Sequence, residues 1–186
     1  MVSLGSLLLP ILVSAVLVFI VSAIIHMVLK YHNKDYTSLP NEDAVRAAIR
    51  AGNPKPAQYI VPYCSDMKDM EKPEMKQKYV EGPIAVINLM PSGAPKMGKS
   101  LTQWFIFILI VSFFIAYVAA HTIQQGAEYL QVFRVVGAVG FLAYSAGQFP
   151  ESIWMGKPWA VSIKNAIDGL VYGCVTAGTF GWLWPR

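Results

Sequence analysis

The sequence predicts an all-α integral membrane protein with four transmembrane helices and a small mixed α/β cap inserted between helices 1 and 2. Hydrophobic residues make up 55% of the 186 residues and charged residues only 14%, against about 45–50% and 25% in soluble domains. Four long apolar segments recur along the chain, and one polar segment, residues 30–100, separates the first from the second. This composition excludes a disordered chain and is typical of a multi-pass membrane protein.

The first predicted transmembrane helix occupies residues 1–29. Its apolar run from Leu7 to Ile25 is interrupted only by Pro10, Ser14 and Ser22. About 20 helical residues at about 1.5 Å each cross the hydrocarbon core of a bilayer. A cleaved signal peptide is the competing interpretation. We favour a retained helix because no Lys or Arg precedes the run, which is also longer than the roughly 7–15 residues of a signal-peptide core.

The other three predicted helices lie in residues 101–186, at about 101–121, 132–149 and 159–184. The last begins at Trp159 and ends at Trp184, as expected of an aromatic belt at both membrane interfaces. Glycine, alanine and serine recur at four-residue spacing in these segments, most clearly at Gly169, Gly173 and Ala177. Such spacing allows close helix packing.

The insert at residues 30–100 is a separate soluble unit in the sequence. Residues 30–99 hold eleven of the fifteen basic residues, eight of the eleven acidic residues and eight of the twelve prolines. We expect a helix that starts near Asn41 and stops at Gly52, and a second helix at Pro73–Glu81. Residues 57–63 and 84–90 are predicted strands.

Basic residues near the helix ends predict the orientation. Six lysines fall on the side of the insert, while Arg134 and Arg186 fall on the other. The positive-inside rule places the cap in the cytoplasm and both termini outside. We expect a bacterial inner membrane, with a periplasmic cap as the alternative. We therefore expect the net charge of +4 to set the orientation in the membrane and to attract anionic lipid headgroups. It does not indicate binding to nucleic acid.

One segment matches a phosphate-binding motif. Residues 93–100, which include Gly93, Gly98, Lys99 and Ser100, fit the pattern G-x-x-x-x-G-K-[ST]. The segment resembles the P-loop family over these eight residues, and the resemblance implies backbone amides around phosphates, a lysine on the outer phosphates and a serine on magnesium. The helix that follows must lie in lipid, so a turn with lysines at the lipid headgroups is favoured over nucleotide binding.

The fourth predicted helix carries a polar stripe. It consists of Lys164, Asp168, Tyr172, Thr176 and Thr179, at spacings of four, four, four and three. Asp168 lies about 13 Å along the helix from Trp159, near the bilayer centre. An ionisable group at that depth often marks an ion or proton path. The favoured interpretation is structural, because Lys164 and Asp168 can pair four residues apart on one helix face.

The histidines do not match a haem or zinc pattern. His26 and His121 end different helices on opposite sides of the membrane, so they cannot share one metal ion. His26, His32 and Cys64 can meet on one side, but their spacing fits no known signature. Met67, Met70 and Met75 near Cys64 favour copper(I) only if the cap is periplasmic; Met-rich packing is otherwise expected. We therefore predict no metal and no cofactor.

The expected function is a non-catalytic subunit or scaffold of a larger membrane complex. No nucleophile, base or paired carboxylate occurs at a usable spacing, so an enzyme is not expected. The predicted partners are other membrane subunits and lipid, with a homo-oligomer also open. The first alternative is a small oligomeric ion, proton or solute transporter that uses the Asp168 stripe. The second alternative is nucleotide binding at residues 93–100.

Overall fold

The computed structural model describes residues 2–186, which form two compact units. The first unit consists of residues 2–35 and Lys96–Arg186, and it is helical. Helix α1 (Leu8–Ala23) is preceded by a 3-10 turn at Leu4–Leu7 and followed by a π-helical turn at Ile24–Val28 and a second 3-10 turn at Tyr31–Lys34. The other helices of this unit are α4 (Met97–Thr122), α5 (Tyr129–Ser145), α6 (Gln148–Trp154) and α7 (Trp159–Trp182).

The second unit, Tyr36–Pro95, is the predicted mixed α/β insert. It contains α2 (Glu42–Ala51), strand β1 (Gln58–Val61), a 3-10 turn at Met67–Glu71, α3 (Pro73–Glu81) and strand β2 (Ala85–Asn88). The two strands pair antiparallel, with Gln58 opposite Asn88 and Val61 opposite Ala85. The predicted helix at Pro73–Glu81 is confirmed to the residue. Proline at its first position supplies the helical φ angle without losing a needed N–H group.

Four helices of the first unit pack around a common core. Helix α1 contacts α4 and α7, and α5 contacts α4 and α7, so the four close a ring. The core includes fully buried Leu7, Ile108, Ile115 and Phe180. Serines are buried beside these apolar side chains, and Ser14 Oγ lies 3.4 Å from Ser112 Oγ between α1 and α4. Small buried polar groups of this kind are usual between closely packed membrane helices.

Within residues 2–186, three helical segments are long and apolar enough to cross a membrane: Leu4–Val28, Met97–Thr122 and Tyr129–Trp154. Helix α7 has 24 residues, which is also enough to cross about 30 Å of hydrocarbon. It is not among the three, because Lys164, Asn165 and Asp168 make its first half too polar.

Several element boundaries differ from the sequence-based expectation, two of them for a physical reason that the structure shows. Helix α4 begins at Met97, one turn earlier than predicted, because the Ser100 amide donates to the Lys96 carbonyl oxygen at 3.3 Å. Residues 150–154, predicted as part of a turn, belong to α6. Pro150 fits there because it occupies the first turn of α6, where its missing N–H group is not needed.

Helices α5 and α7 approach so closely that their contact requires glycine. A Cβ atom added to Gly173 would lie 2.9 Å from the backbone nitrogen of Phe141, and one added to Gly140 would lie 3.0 Å from Gly173 Cα. A Cβ atom at Gly169 would meet Ser145 Oγ at 2.2 Å. The small residues Gly169, Gly173 and Ala177 therefore pack within the chain, against α5.

We expect Gly173→Ala to lower the free energy of unfolding by about 1–3 kcal/mol, since the added methyl group meets backbone that cannot move aside. Thermal unfolding of the detergent-solubilised chain measures the change. Gly98→Ala is the matched control, because an added Cβ atom has no neighbour within 4 Å at Gly98. Equal melting temperatures for Gly173→Ala and wild type would contradict the close α5–α7 contact.

Candidate functional site

The segment that follows α1 turns back onto α7. Lys30 has a left-handed backbone, with φ of +54°, which is uncommon for a residue other than glycine. The chain reverses there and forms the 3-10 turn Tyr31–Lys34. Tyr31, His32 and Asp35 are thereby brought to the first half of α7, 129 to 137 residues away in sequence.

Five residues form a closed ring of polar contacts, which we call the charge cluster: Tyr31, His32, Asp35, Lys164 and Asp168. His32 bridges the two carboxylates, with Nδ1 2.6 Å from Asp35 Oδ2 and Nε2 2.8 Å from Asp168 Oδ2. Lys164 Nζ donates to Asp35 Oδ1 and to the Tyr31 carbonyl oxygen, the latter at 3.1 Å. The Tyr31 hydroxyl donates to Asp168 Oδ1 and closes the ring.

The predicted ion pair between Lys164 and Asp168 is wrong. Lys164 pairs with Asp35, and Asp168 pairs with His32 and Tyr31. The physical reason is the chain reversal at Lys30, which places Asp35 Oδ1 against Lys164 Nζ and the His32 ring against Asp168. Both carboxylate side chains are only 5% exposed. Asp168 therefore has no directly paired lysine, and its Oδ2 faces His32 Nε2.

The two carboxylates of the charge cluster differ in how their negative charge is compensated. The hydrogen bond from Lys164 holds the pKa of the Asp35 carboxyl below its usual value, and the His32 contact acts in the same direction against partial desolvation. Asp35 is therefore ionised at neutral pH. Both His32 nitrogens face carboxylate oxygens, and a neutral imidazole has only one N–H group. One cation, a proton or another, is thus needed between His32 Nε2 and Asp168 Oδ2 when both carboxylates are ionised.

His26 and Tyr172 extend the cluster along the bundle. His26 lies in the π-helical turn that ends the first helical segment, and π-turns often occur at functional sites. Its ring lies against that of His32, with centroids 4.7 Å apart. Tyr172 Oη is 3.4 Å from His26 Nε2. His26, His32 and Asp168 each offer one ligand atom within 4.8 Å of the others.

A cavity of about 710 Å³ adjoins this group. It is bounded by the end of the first helical segment, the starts of α4 and α7, the end of α5 and the first residue of α6. Its polar lining includes His26, Ser100, Gln103, Gln148, Asn165, Asp168 and Tyr172. A volume of this size fits a small hydrated solute or ion.

Tyr144 also lines the cavity, and its hydroxyl has no hydrogen-bond partner among the described residues. The residue is 8% exposed, so the hydroxyl is not compensated by bulk solvent. An unsatisfied buried hydroxyl costs about 1–3 kcal/mol. The side chains nearest this hydroxyl are those of Ser112 and Thr176.

The rest of the predicted polar stripe does not continue the cavity. Thr176 donates to the Tyr172 carbonyl oxygen at 2.9 Å, and Thr179 donates to the Val175 carbonyl oxygen at 2.8 Å. Both threonines are buried, with their hydroxyls bonded to their own helix. The polar route from the charge cluster therefore ends near Tyr172.

Among the phosphate-motif residues, Ser100 lines the cavity, whereas Gly93, Gly98 and Lys99 do not. Gly98, Lys99 and Ser100 are in the first turn of α4, and Gly93 lies in the preceding loop with φ of +127°. The strand before the motif, β2, belongs to a two-stranded antiparallel sheet. P-loops follow a strand of a covered parallel sheet, so the surroundings of this motif differ from those of a nucleotide site.

The sequence predicted Lys164, Asp168 and Tyr172 as residues of the site. It did not predict Tyr31 or Asp35, nor that His26 and His32 lie close to Asp168. The available signal was the local run His32-x-x-Asp35, which can orient an imidazole. No sequence pattern indicates the reversal at Lys30, which brings this run to α7.

The fold and the site define a mostly helical protein with three helices long and apolar enough to cross a membrane, one two-stranded sheet and a buried charge cluster. No protein-family model, characterised protein or solved structure matches the chain.

A double-mutant cycle tests the observed pairing. We expect Asp35→Asn and Lys164→Met to be coupled by about 0.5–3 kcal/mol in unfolding free energy, since each removes the other's direct partner. The exposed pair Lys157–Glu151 is the control and should couple by at most about 1 kcal/mol. Stronger coupling of Lys164 to Asp168 than to Asp35 would restore the pairing predicted from sequence.

Proposed function

We propose that the chain is an integral membrane protein with four transmembrane segments. The outer faces of the bundle support this, because large apolar side chains are exposed there, among them Leu8, Leu12, Phe113 and Phe114 at 45–60% of their surface. Buried positions include small polar residues such as Ser14 and Ser112 beside the apolar core. Exposed apolar area of this extent is unfavourable in water and favourable in lipid.

Helix α7 is the proposed fourth segment. Its outward side chains Ile163, Ile167 and Leu170 are apolar and 48–54% exposed, while Asp168 and Tyr172 are buried. Polar side chains that face the interior of a bundle are the usual arrangement for ionisable residues in membrane helices. The low overall apolarity of α7 is thus compatible with insertion.

We propose further that the protein binds a small cation in the cavity and moves it across the membrane. The observation that carries this proposal is that Asp168, buried and without a paired lysine, lines a cavity of about 710 Å³ together with His26. An intramembrane carboxylate of this kind attracts a cation into an otherwise unfavourable environment.

The cavity lining reaches along α7 as far as Tyr172, and Thr176 and Phe180 beyond it are buried. We propose that the cavity is a binding site accessible from one side. Transport requires a second state in which α7 and its neighbours open at the other end. The π-helical turn at Ile24–Val28 is a suitable place for that change, since its backbone bonds differ from those of the adjoining helix.

A non-catalytic subunit or scaffold of a larger membrane complex is the second proposal. The insert favours it, because Tyr59, Ile60 and Val61 of β1 are apolar and 36–44% exposed. Apolar side chains exposed on an edge strand are commonly covered by another protein. Native mass spectrometry of the gently solubilised protein tests this role: a stoichiometric complex with other chains supports it, and a lone chain opposes it.

Cation flux tests the transport proposal. In proteoliposomes on a solid-supported membrane, we expect currents with at least one of Na⁺, K⁺, Mn²⁺ or Zn²⁺. Asp168→Asn should reduce the current at least about tenfold, because a lost charged contact of about 1.5–3 kcal/mol corresponds to a tenfold or larger effect on binding.

Glu151→Gln is the matched control, since Glu151 is a carboxylate in an exposed ion pair of the same helical unit. It should keep the wild-type current. The absence of current with all four cations, or wild-type current in a well-folded Asp168→Asn variant, would exclude transport through this site.

The proposed topology is tested by thiol labelling. Cys64 and Cys174 are the two cysteines, and Cys64 lies in the insert. In a Cys174→Ser background, a membrane-impermeant maleimide should label Cys64 only after the cells are opened, because the lysine asymmetry predicts a cytoplasmic insert. Labelling in intact cells with a permeabilised outer membrane would place the insert in the periplasm.

A further inference from the structure

We infer that His26, His32 and Asp168 form a binding site for a divalent transition-metal cation of the zinc type, oriented by Asp35. The inference rests on the proposed function in one respect, since it names the class of cation that the transport site takes. Metal binding itself is independent of transport and is measured separately from it.

The three donors already converge. Their ligand atoms lie within 4.8 Å of one another, and His32 Nε2 is 2.8 Å from Asp168 Oδ2. Tetrahedral zinc with bonds of about 2.0–2.1 Å holds its ligand atoms about 3.3 Å apart. The close pair therefore has to separate by about half an ångström, and His26, an exposed side chain, has to swing inward.

The surroundings of His32 are those of a metal ligand. Its Nδ1 lies 2.6 Å from Asp35 Oδ2, and in the tautomer in which the Nδ1–H group donates there, the Nε2 lone pair faces Asp168. A carboxylate on the far nitrogen of a ligating histidine is the usual second contact in zinc sites, where it fixes the tautomer and the ring orientation. Lys164 neutralises Asp35, so this carboxylate is balanced without the metal.

Asp168 is held in a similar way. The Tyr31 hydroxyl donates to Oδ1, which leaves Oδ2 as the oxygen directed at His32. A cation between Oδ2 and Nε2 replaces the proton that these two atoms otherwise share, and that proton passes to water in the cavity. The exchange satisfies both atoms and lowers the cost of the buried carboxylate.

The donor set selects the metal class. Two imidazole nitrogens and one carboxylate oxygen suit zinc and its neighbours in the first transition row, whereas calcium and magnesium prefer oxygen ligands in greater number. Three protein ligands leave one position open, and the adjoining cavity provides space for water there. An open position is expected of a site that releases its ion rather than of a structural one.

Metal titration of the purified full-length chain in detergent tests the inference. After removal of metal with a chelator, we expect one Zn²⁺ per chain by calorimetry and a visible absorption band with Co²⁺ in tetrahedral coordination. Mg²⁺ and Ca²⁺ should not compete. Asp168→Asn and His32→Ala should weaken Zn²⁺ binding at least about 100-fold, and Asp35→Asn about 10–100-fold, the usual effect of losing a contact behind a ligand.

His26→Ala is the most informative variant because His26 is exposed, so its loss is not expected to disturb folding. It should weaken Zn²⁺ binding and abolish the Co²⁺ band. His121→Ala is the matched control, because His121 Nδ1 hydrogen-bonds to the Tyr117 carbonyl oxygen of its own helix, at 2.7 Å. This variant should bind Zn²⁺ as tightly as the wild-type protein.

Absence of Zn²⁺ binding, or binding that survives both His26→Ala and His32→Ala, would overturn the metal site. Currents carried by other cations alongside absent Zn²⁺ binding would overturn it while leaving the transport proposal standing. Tight Zn²⁺ binding lost in the His26 variant, with no current for any cation, would support the metal site and exclude transport.

Discussion

The buried carboxylate of Asp168 is the constraint on which the helical unit depends. A charge at 3% exposure needs a compensating partner, since its transfer from water costs several kcal/mol even after relaxation. Helix α7 does not supply that partner. It comes from the segment after α1, through His32 and Tyr31. The charge therefore ties the end of the first helical segment to the middle of the last helix.

The close packing of α5 against α7 works with this charge. Gly169 and Gly173 let the backbones approach to contact, so one side of α7 is filled by α5 without large side chains. Asp168 and Tyr172 lie on the side that faces the cavity and the reversed segment. Filling the glycine face with a methyl group would displace α7 and thereby alter the distances within the charge cluster.

Local signals in the sequence were sufficient for most of the secondary structure but not for the site. Apolar runs and proline and glycine positions predicted α1, α2, α3 and α7 to within a few residues. The partner of Asp168 lies 136 residues away, and its position depends on a left-handed residue at Lys30 that no side-chain pattern indicates. Sequence spacing alone therefore predicts the wrong partner for Asp168. Lys164 is the nearest opposite charge along the helix, but its long side chain can extend away from Asp168.

Stability alone does not explain the charge cluster. Buried ion pairs are on average no more stabilising than well-packed apolar side chains of similar size. Apolar side chains, which fill most of the surrounding core, could therefore occupy these positions without loss of stability. A cluster built only to hold helices together also has no need of an adjoining cavity or an exposed histidine at its edge. Both features are accounted for if a cation enters the cavity, since it balances Asp168 and gains His26 as a ligand.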